Sequence, residues 1–168
     1  MATKVTKVHK DVAACRGTIL TGSLLAIDPS SGSASNGQSY PGYAIFQAGQ
    51  LVEQGFLRLD GRGLTPHQRL SLIYQMLKEF PRPDVLAIEM IRTMHGRVEC
   101  SLLWAVGLAV GVLSPKKALL EVSPMTWRMF IGDDYNKTDS NDAVAIGHAV
   151  IQIAKGTKDP IPTEWLSK

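Results

Sequence analysis

Four acidic residues occupy positions at which the surrounding sequence predicts that they can meet. Asp28 and Glu89 each end a run of four apolar residues, as expected at the end of a buried strand. Asp139 and Asp142 open a helix-like segment and, three residues apart, share one helix face. A buried carboxylate costs several kcal/mol unless a partner compensates its charge, so this group of carboxylates needs a chemical explanation.

Divalent cations are the partners that such a group predicts, because no matching basic residues accompany the motifs. Carboxylate oxygens are hard ligands that select Mg²⁺ or Mn²⁺. Two such ions about 3.5–4 Å apart can activate a water and stabilise the leaving oxygen in phosphodiester hydrolysis. The residues therefore predict a two-metal nuclease with two Mg²⁺ ions per site, for which Mn²⁺ can substitute.

A structural explanation competes at three of the four positions. Asp28 precedes Pro29 and could form a turn, Asp139 could cap its helix, and Asp142 could interact favourably with the helix dipole. Glu89 lacks such an explanation because the apolar run continues beyond it. The joint occurrence of all four carboxylates favours the metal site.

Apolar periodicity predicts the elements that would position these carboxylates. Strands are predicted over residues 18–28, 43–46, 51–59, 84–91 and 118–122, with a four-residue hairpin loop between the second and third. Helices are predicted over residues 65–80, 98–113, 124–131 and 138–155. This order predicts an α/β fold, namely a ribonuclease H-like mixed five-stranded sheet flanked by helices. The first and fourth strands can then lie side by side, with Asp28 and Glu89 at one edge.

Length and composition suit one globular domain of 168 residues with a net charge of +3. Residues 1–20 are predicted to be a basic, flexible lead-in, 21–156 the nuclease domain and 157–168 an irregular tail. No apolar run approaches the roughly 18 residues of a membrane span, and no secretory signal is visible. We therefore expect a cytoplasmic protein, in a bacterial cell or a phage-infected host, that does not associate with a membrane.

Three motifs resemble those of RuvC, the Holliday junction resolvase family. They are Leu-Ala-Ile-Asp-Pro at positions 25–29, Ala-Ile-Glu at 87–89 and Asp-Ser-Asn-Asp-Ala-Val-Ala-Ile at 139–146, within a similarity that spans about residues 24–155. The resemblance implies that Asp28, Glu89, Asp139 and Asp142 are the catalytic, metal-binding carboxylates. It also implies a homodimeric crossover junction endodeoxyribonuclease that makes paired nicks in four-way DNA junctions and leaves 5′-phosphates.

The chain departs from the family pattern in three places. Ser30 replaces the glycine after Asp-Pro, and the loop at 30–41 is longer than in the bacterial enzymes and resembles bacteriophage variants. The lysine-bearing segment after the fifth strand keeps a basic residue only as Arg128. The segment after Glu89 lacks the aromatic residue that the family uses at the junction centre.

Basic residues near the predicted active-site edge are candidates for phosphate contacts, which set affinity without reading sequence. These DNA-binding candidates are Arg92, His95, Arg97, Lys116, Lys117, Arg128 and Lys137. For each of the cations, an ordinary surface position is an equally good interpretation.

Other functions remain open from the residues. One is a broader nuclease for branched DNA, which cuts forks and flaps on the same fold. Another is a non-catalytic nucleic-acid-binding module, against which the four carboxylates argue. An actin-like ATPase would need a second lobe that these 168 residues do not hold. The apolar helix at 98–113 is interpreted either as core or as the dimer interface.

Overall fold

The computed structural model describes residues 7–29, 40–59, 63–91 and 100–167. Ser30, most of the 30–41 loop, and the DNA-binding candidates Arg92, His95 and Arg97 lie outside the described residues. Predictions for these positions therefore stay predictions.

Five strands form one mixed sheet in the order β3-β2-β1-β4-β5. They are β1 (Ser23–Asp28), β2 (Gly42–Gln47), β3 (Gln50–Phe56), β4 (Val85–Glu89) and β5 (Ala118–Val122). The β1–β2 and β2–β3 pairs are antiparallel, whereas β1–β4 and β4–β5 are parallel. The predicted fold class is confirmed.

Helices cover both faces of the sheet. They are α1 (Lys7–Ala14), α2 (Arg16–Thr21), α3 (Pro66–Lys78), α4 (Cys100–Leu113), α5 (Pro124–Trp127) and α6 (Asp139–Lys155). Single 3₁₀ turns lie at Arg128–Phe130 and Thr163–Trp165. None of the helices within the described ranges is long and apolar enough to cross a bilayer.

Strand β1 shows how its sequence divides the core into two layers. Leu24 and Ala26 face the cluster built on α1, α2 and α6, whereas Leu25 and Ile27 face the cluster built on α3 and α4. Alternate side chains of a strand point to opposite faces, and both faces here are covered. The continuous apolar run is therefore a fully buried strand.

From residue 7 onward, where the description begins, the amino-terminal segment is helical, whereas a flexible lead-in to residue 20 and a strand start at residue 18 were predicted. Residues 7–21 form α1 and α2, and the strand begins only at Ser23. Val8, Val12 and Ile19 are buried against the core cluster that contains α6. Burial of this apolar stripe orders a segment whose lysines had indicated a solvated tail.

The hairpin is tighter than predicted, since Ala48 and Gly49 alone separate β2 from β3. Their φ values of 50° and 75° are both left-handed, as in the two-residue turns that match strand twist.

Helix α6 approaches the sheet closely because two glycines face the contact. A Cβ at Gly42 would lie 1.8 Å from the Asp139 carbonyl oxygen, and a Cβ at Gly147 would lie 2.1 Å from the Phe46 ring. Thr138 caps the helix by accepting a hydrogen bond from the backbone N–H of Asn141 at 3.1 Å. The close approach determines where the first turn of α6 lies.

Helix α4 is only partly buried. Ala105, Ala109 and Leu113 pack inward, whereas Leu103 and Trp104 are 47% and 52% exposed. One side of the helix is therefore core, while other apolar side chains face solvent. Both interpretations of α4, as core and as dimer interface, retain support.

Candidate active site

The ends of two parallel strands bring Asp28 and Glu89 together. Ile27 pairs with Ile88 between β1 and β4, so the residues that follow lie on neighbouring strands at the same edge. The charge of Glu89 acts on the Asp28 carboxyl group. The structure thus places this pair as the strand pattern predicts.

The first turn of α6 brings the other two carboxylates to the same edge. Asp28 pairs with Gly42 on β2, and Gly42 in turn abuts the backbone of Asp139. The backbone N–H of Tyr40 donates to Asp139 Oδ2 at 3.2 Å. The charges of Asp139 and Asp142 both act on Asp28, so all four predicted residues form one electrostatic cluster.

Burial, together with the crowding of negative charge, raises the pKa of two carboxyl groups in the cluster. Burial raises the pKa of Asp28 well above its ordinary value, and the charges of Glu89, Asp142 and Asp139 raise it further. Burial also raises the pKa of Asp142, against the opposing effects of a Tyr135 hydrogen bond and the Lys137 charge. The site accumulates more negative charge than nearby cations compensate, which is the electrostatic condition for binding a cation.

Two aromatic residues that the sequence analysis missed hold carboxylates of the cluster. Trp127 Nε1 donates to Glu89 Oε1 at 3.1 Å, and the Tyr135 hydroxyl donates to Asp142 Oδ1. Their rings lie 6.4 Å apart in the connection between β5 and α6. No periodicity marks either residue as functional. Only their residue types could have indicated this role from the sequence, since Tyr and Trp each combine an apolar ring with one hydrogen-bonding group.

The donor atoms are not gathered into a metal cage. Within the described ranges, no group of three or more His, Cys, Asp or Glu side chains is arranged to hold a metal ion. Asp139, Glu89 and Asp142 accept hydrogen bonds from Tyr40, Trp127 and Tyr135 respectively. The donor set nevertheless suits Mg²⁺ in its chemistry, because four carboxylates that repel one another lie at one edge of the sheet.

The described DNA-binding candidates fall into two groups. Lys137 acts electrostatically on Asp142, and the Arg128 guanidinium lies 5.2 Å from the ring centroid of Trp127. Lys116 and Lys117 precede β5, at the opposite end of the parallel strands from Glu89, and Lys116 pairs with Asp84 at 3.6 Å. The structure therefore brings Arg128 and Lys137 to the carboxylates and leaves both lysines before β5 away from them.

Comparison with solved structures finds proteins that share this fold. A Thermus thermophilus RuvC structure superposes with a TM-score of 0.59 at 13% identity, covering 83% of this chain and 99% of that one. T. thermophilus RuvC in complex with Holliday junction substrate gives a TM-score of 0.57 at 16% identity, with the same coverages. The yeast mitochondrial Holliday junction resolvase Ydc2 gives 0.52 at 11% identity, covering 88% of this chain and 91% of that one.

These matches confirm the resemblance to RuvC-like resolvases at the level of the fold, which is the ribonuclease H-like class. No protein-family model matches the chain, and no curated protein matches it in sequence. The bacteriophage origin stays a prediction.

Proposed function

We propose that this protein is a divalent-metal-dependent, structure-selective DNA endonuclease that resolves four-way junctions by paired nicking. The observation that carries the proposal is the convergence of Asp28, Glu89, Asp139 and Asp142 at one edge of the sheet. The same fold occurs in RuvC solved with a Holliday junction substrate, which supports branched DNA as the substrate.

In this proposal the four carboxylates hold two Mg²⁺ ions, or Mn²⁺ in their place. Ions bound there would activate a water and stabilise the leaving oxygen of an in-line displacement that leaves a 5′-phosphate. Trp127 and Tyr135 keep Glu89 and Asp142 oriented. Arg128 and Lys137 offer positive charge to the phosphates of the bound strand.

Paired nicking requires two active sites, so the proposal includes a homodimer. The exposed stripe of α4, which contains Leu103 and Trp104, is the surface proposed for the dimer contact. Two large apolar side chains exposed within one turn of a helix are typical of protein interfaces.

The test is cleavage of a synthetic mobile four-way junction in Mg²⁺, beside linear duplex and fork substrates. Glu89→Gln removes one carboxylate charge with little change in shape. Glu121→Gln is the matched control, because Glu121 lies on the adjacent strand β5 but is exposed and paired with Lys7 at 3.6 Å. We expect symmetric paired nicks on the junction alone from the wild type and the control, and none from Glu89→Gln.

Two results would change the assignment. Equal cutting of forks and flaps would replace junction resolution by general debranching. Binding of junctions without cutting, in either Mg²⁺ or Mn²⁺, would mean that the carboxylates are not an active site and that the chain is a binding module.

A further inference from the structure

An open cleft of about 580 Å³ lies beside Asp139 and extends away from the other three carboxylates of the cluster, none of which lines it. Strand β3 contributes Gln54 and Phe56, the start of α6 contributes residues 137–140, and the carboxyl-terminal segment contributes Ser167. The volume lies within the roughly 300–1,000 Å³ of ordinary ligand sites. Because Asp139 belongs to both, the cleft adjoins the candidate active site.

The cleft combines an aromatic ring with hydroxyl groups and a cation. The Phe56 ring is 47% exposed and stacks on Tyr40 with ring centroids 5.6 Å apart and planes 17° apart. Tyr40 donates its backbone N–H to Asp139, so the aromatic platform is tied to the carboxylate cluster. Stacked rings beside the carboxylate cluster offer a surface for a planar, unpaired base.

Hydroxyl groups and Lys137 also line the cleft. Ser140 Oγ and Ser167 Oγ lie 2.9 Å apart, and Thr138 Oγ1 lies 3.3 Å from Ser140 Oγ. Lys137 is exposed and lines the same cleft. Hydroxyl and ammonium groups are the side chains that commonly contact phosphate oxygens.

Hydrogen bonds attach the carboxyl-terminal segment to β3 and to α6, the two elements that flank the cleft. Gln54 Nε2 donates to the Trp165 carbonyl at 2.5 Å, and Asn141 Oδ1 accepts from both the backbone N–H and the hydroxyl of Ser167, at 2.9 and 2.8 Å. Asn141 is completely buried. The cleft is therefore preorganised rather than assembled by the ligand, which lowers the entropic cost of binding.

We propose that this cleft binds one unpaired nucleotide of the DNA strand that passes the carboxylates. The base stacks on Phe56, and the adjoining phosphate contacts Lys137 and the Thr138 hydroxyl, because the Ser167 hydroxyl already donates to Asn141. The inference rests on the proposed function in taking that nucleotide from the nuclease substrate. It identifies the strand feature that the site recognises, a nucleotide without a pairing partner.

The experiment titrates a four-nucleotide single strand carrying 2-aminopurine, without divalent ions, against the wild-type protein. Stacking on Phe56 is expected to quench the 2-aminopurine emission. Phe56→Leu keeps an apolar side chain but removes the ring, and should abolish the quenching and weaken binding about tenfold. Val52→Ala, at an exposed residue of the same strand outside the cleft, is the control and should change neither.

A second pair of variants tests the phosphate contact. Lys137→Met should lower the slope of log Kd against log salt concentration by about 0.7, the value for one phosphate on a single strand. Lys158→Met removes an exposed cation outside the cleft and should leave the slope unchanged.

The two proposals fail separately. Wild-type protein that cuts junctions, but neither quenches the strand nor responds to Phe56→Leu and Lys137→Met, would overturn the cleft proposal alone. A different result is quenching that is lost in Phe56→Leu, in a wild-type protein that cuts no DNA. It would support nucleotide binding in the cleft and contradict the proposed nuclease activity. Equal loss of binding in Val52→Ala and Phe56→Leu would also count against the cleft.

Discussion

Trp127 and Tyr135 each direct one hydrogen-bond donor at a carboxylate of the cluster. Neither residue needs to contact a phosphate to influence cleavage, because a carboxylate that rotates freely is a poorer metal ligand. Loss of such outer partners typically costs about 10- to 100-fold in metal affinity. These two residues are therefore positioning residues for the proposed metal site.

We expect Trp127→Phe and Tyr135→Phe each to raise the Mg²⁺ concentration for half-maximal junction cleavage by about tenfold. Each variant keeps an aromatic ring and removes the donor. A Mg²⁺ titration of the cleavage rate measures the effect.

Tyr74→Phe is the control, because Tyr74 is exposed on α3 beside Lys78, and it should leave the titration unchanged. A lower maximal rate with an unchanged Mg²⁺ midpoint in the Trp127 and Tyr135 variants would argue against a positioning role.

At the scale of elements, the contact between α6 and β2 determines whether the four carboxylates meet. Gly42 touches the backbone of Asp139, and Gly147 lies against the Phe46 ring. A methyl group at Gly42 would meet a carbonyl oxygen, which cannot rotate away as a flexible side chain could. Helix α6 would have to shift relative to the strand that pairs with Asp28.

Gly42→Ala should therefore lower junction cleavage by at least about a hundredfold, since a displacement near 1 Å can have that effect. Overpacking should also lower the free energy of unfolding by about 1–3 kcal/mol. Cleavage kinetics and urea unfolding measure the two effects.

Gly17→Ala provides the comparison, because an added Cβ there meets nothing within 4 Å on an exposed face of α2. It should raise the free energy of unfolding by about 0.5–1 kcal/mol and leave cleavage unchanged. Full activity in Gly42→Ala would show that the close approach of α6 is dispensable.

At the scale of the whole molecule, the proposed dimer depends on the exposed stripe of α4. Trp104→Glu should convert the dimer to a monomer in sedimentation velocity at micromolar concentration, because a charge buried in an apolar interface has no partner. Val52→Glu, at another exposed apolar residue, should stay dimeric. A wild-type protein that is a monomer both with and without junction DNA would contradict paired nicking by a dimer.

Global stability should depend on pH through His148, which is buried in α6 between Phe130 and Trp165. Burial lowers its pKa below the ordinary value of 6.5, with Lys155 contributing in the same direction. The unfolded chain then binds more protons than the folded protein between the lowered pKa and 6.5. The free energy of unfolding should accordingly fall as pH drops below 6.5 and level off below the folded pKa.

Urea unfolding between pH 5 and 7.5 tests this dependence, with a slope contribution of at most about 1.4 kcal/mol per pH unit. His148→Gln keeps a group that can reach the Asp159 carbonyl, to which His148 Nε2 is bonded at 2.8 Å. It should flatten the profile relative to the wild type. Identical profiles would show that His148 does not titrate differently in the two states.

Local patterns in the sequence were enough to predict the elements that carry the site. The strand Ala118–Val122 and the helix capped by Thr65 were predicted closely, since both depend on neighbouring residues alone. The meeting of Asp28 and Glu89 was also predictable, because parallel strands end at one edge of a sheet. The amino-terminal helices were missed because their order comes from burial against α6, which is distant in the chain.

By itself, the sequence determined the class of fold and the candidate carboxylates, because periodicity and strand ends are encoded locally. The tertiary structure alone decided that α6 reaches the sheet through Gly42 and that Trp127 and Tyr135 hold two of the carboxylates. It also decided that the carboxyl-terminal segment lines the cleft beside Asp139. These features depend on the packing of elements far apart in the chain, such as Tyr40 and Asp139, which are separated by 99 positions.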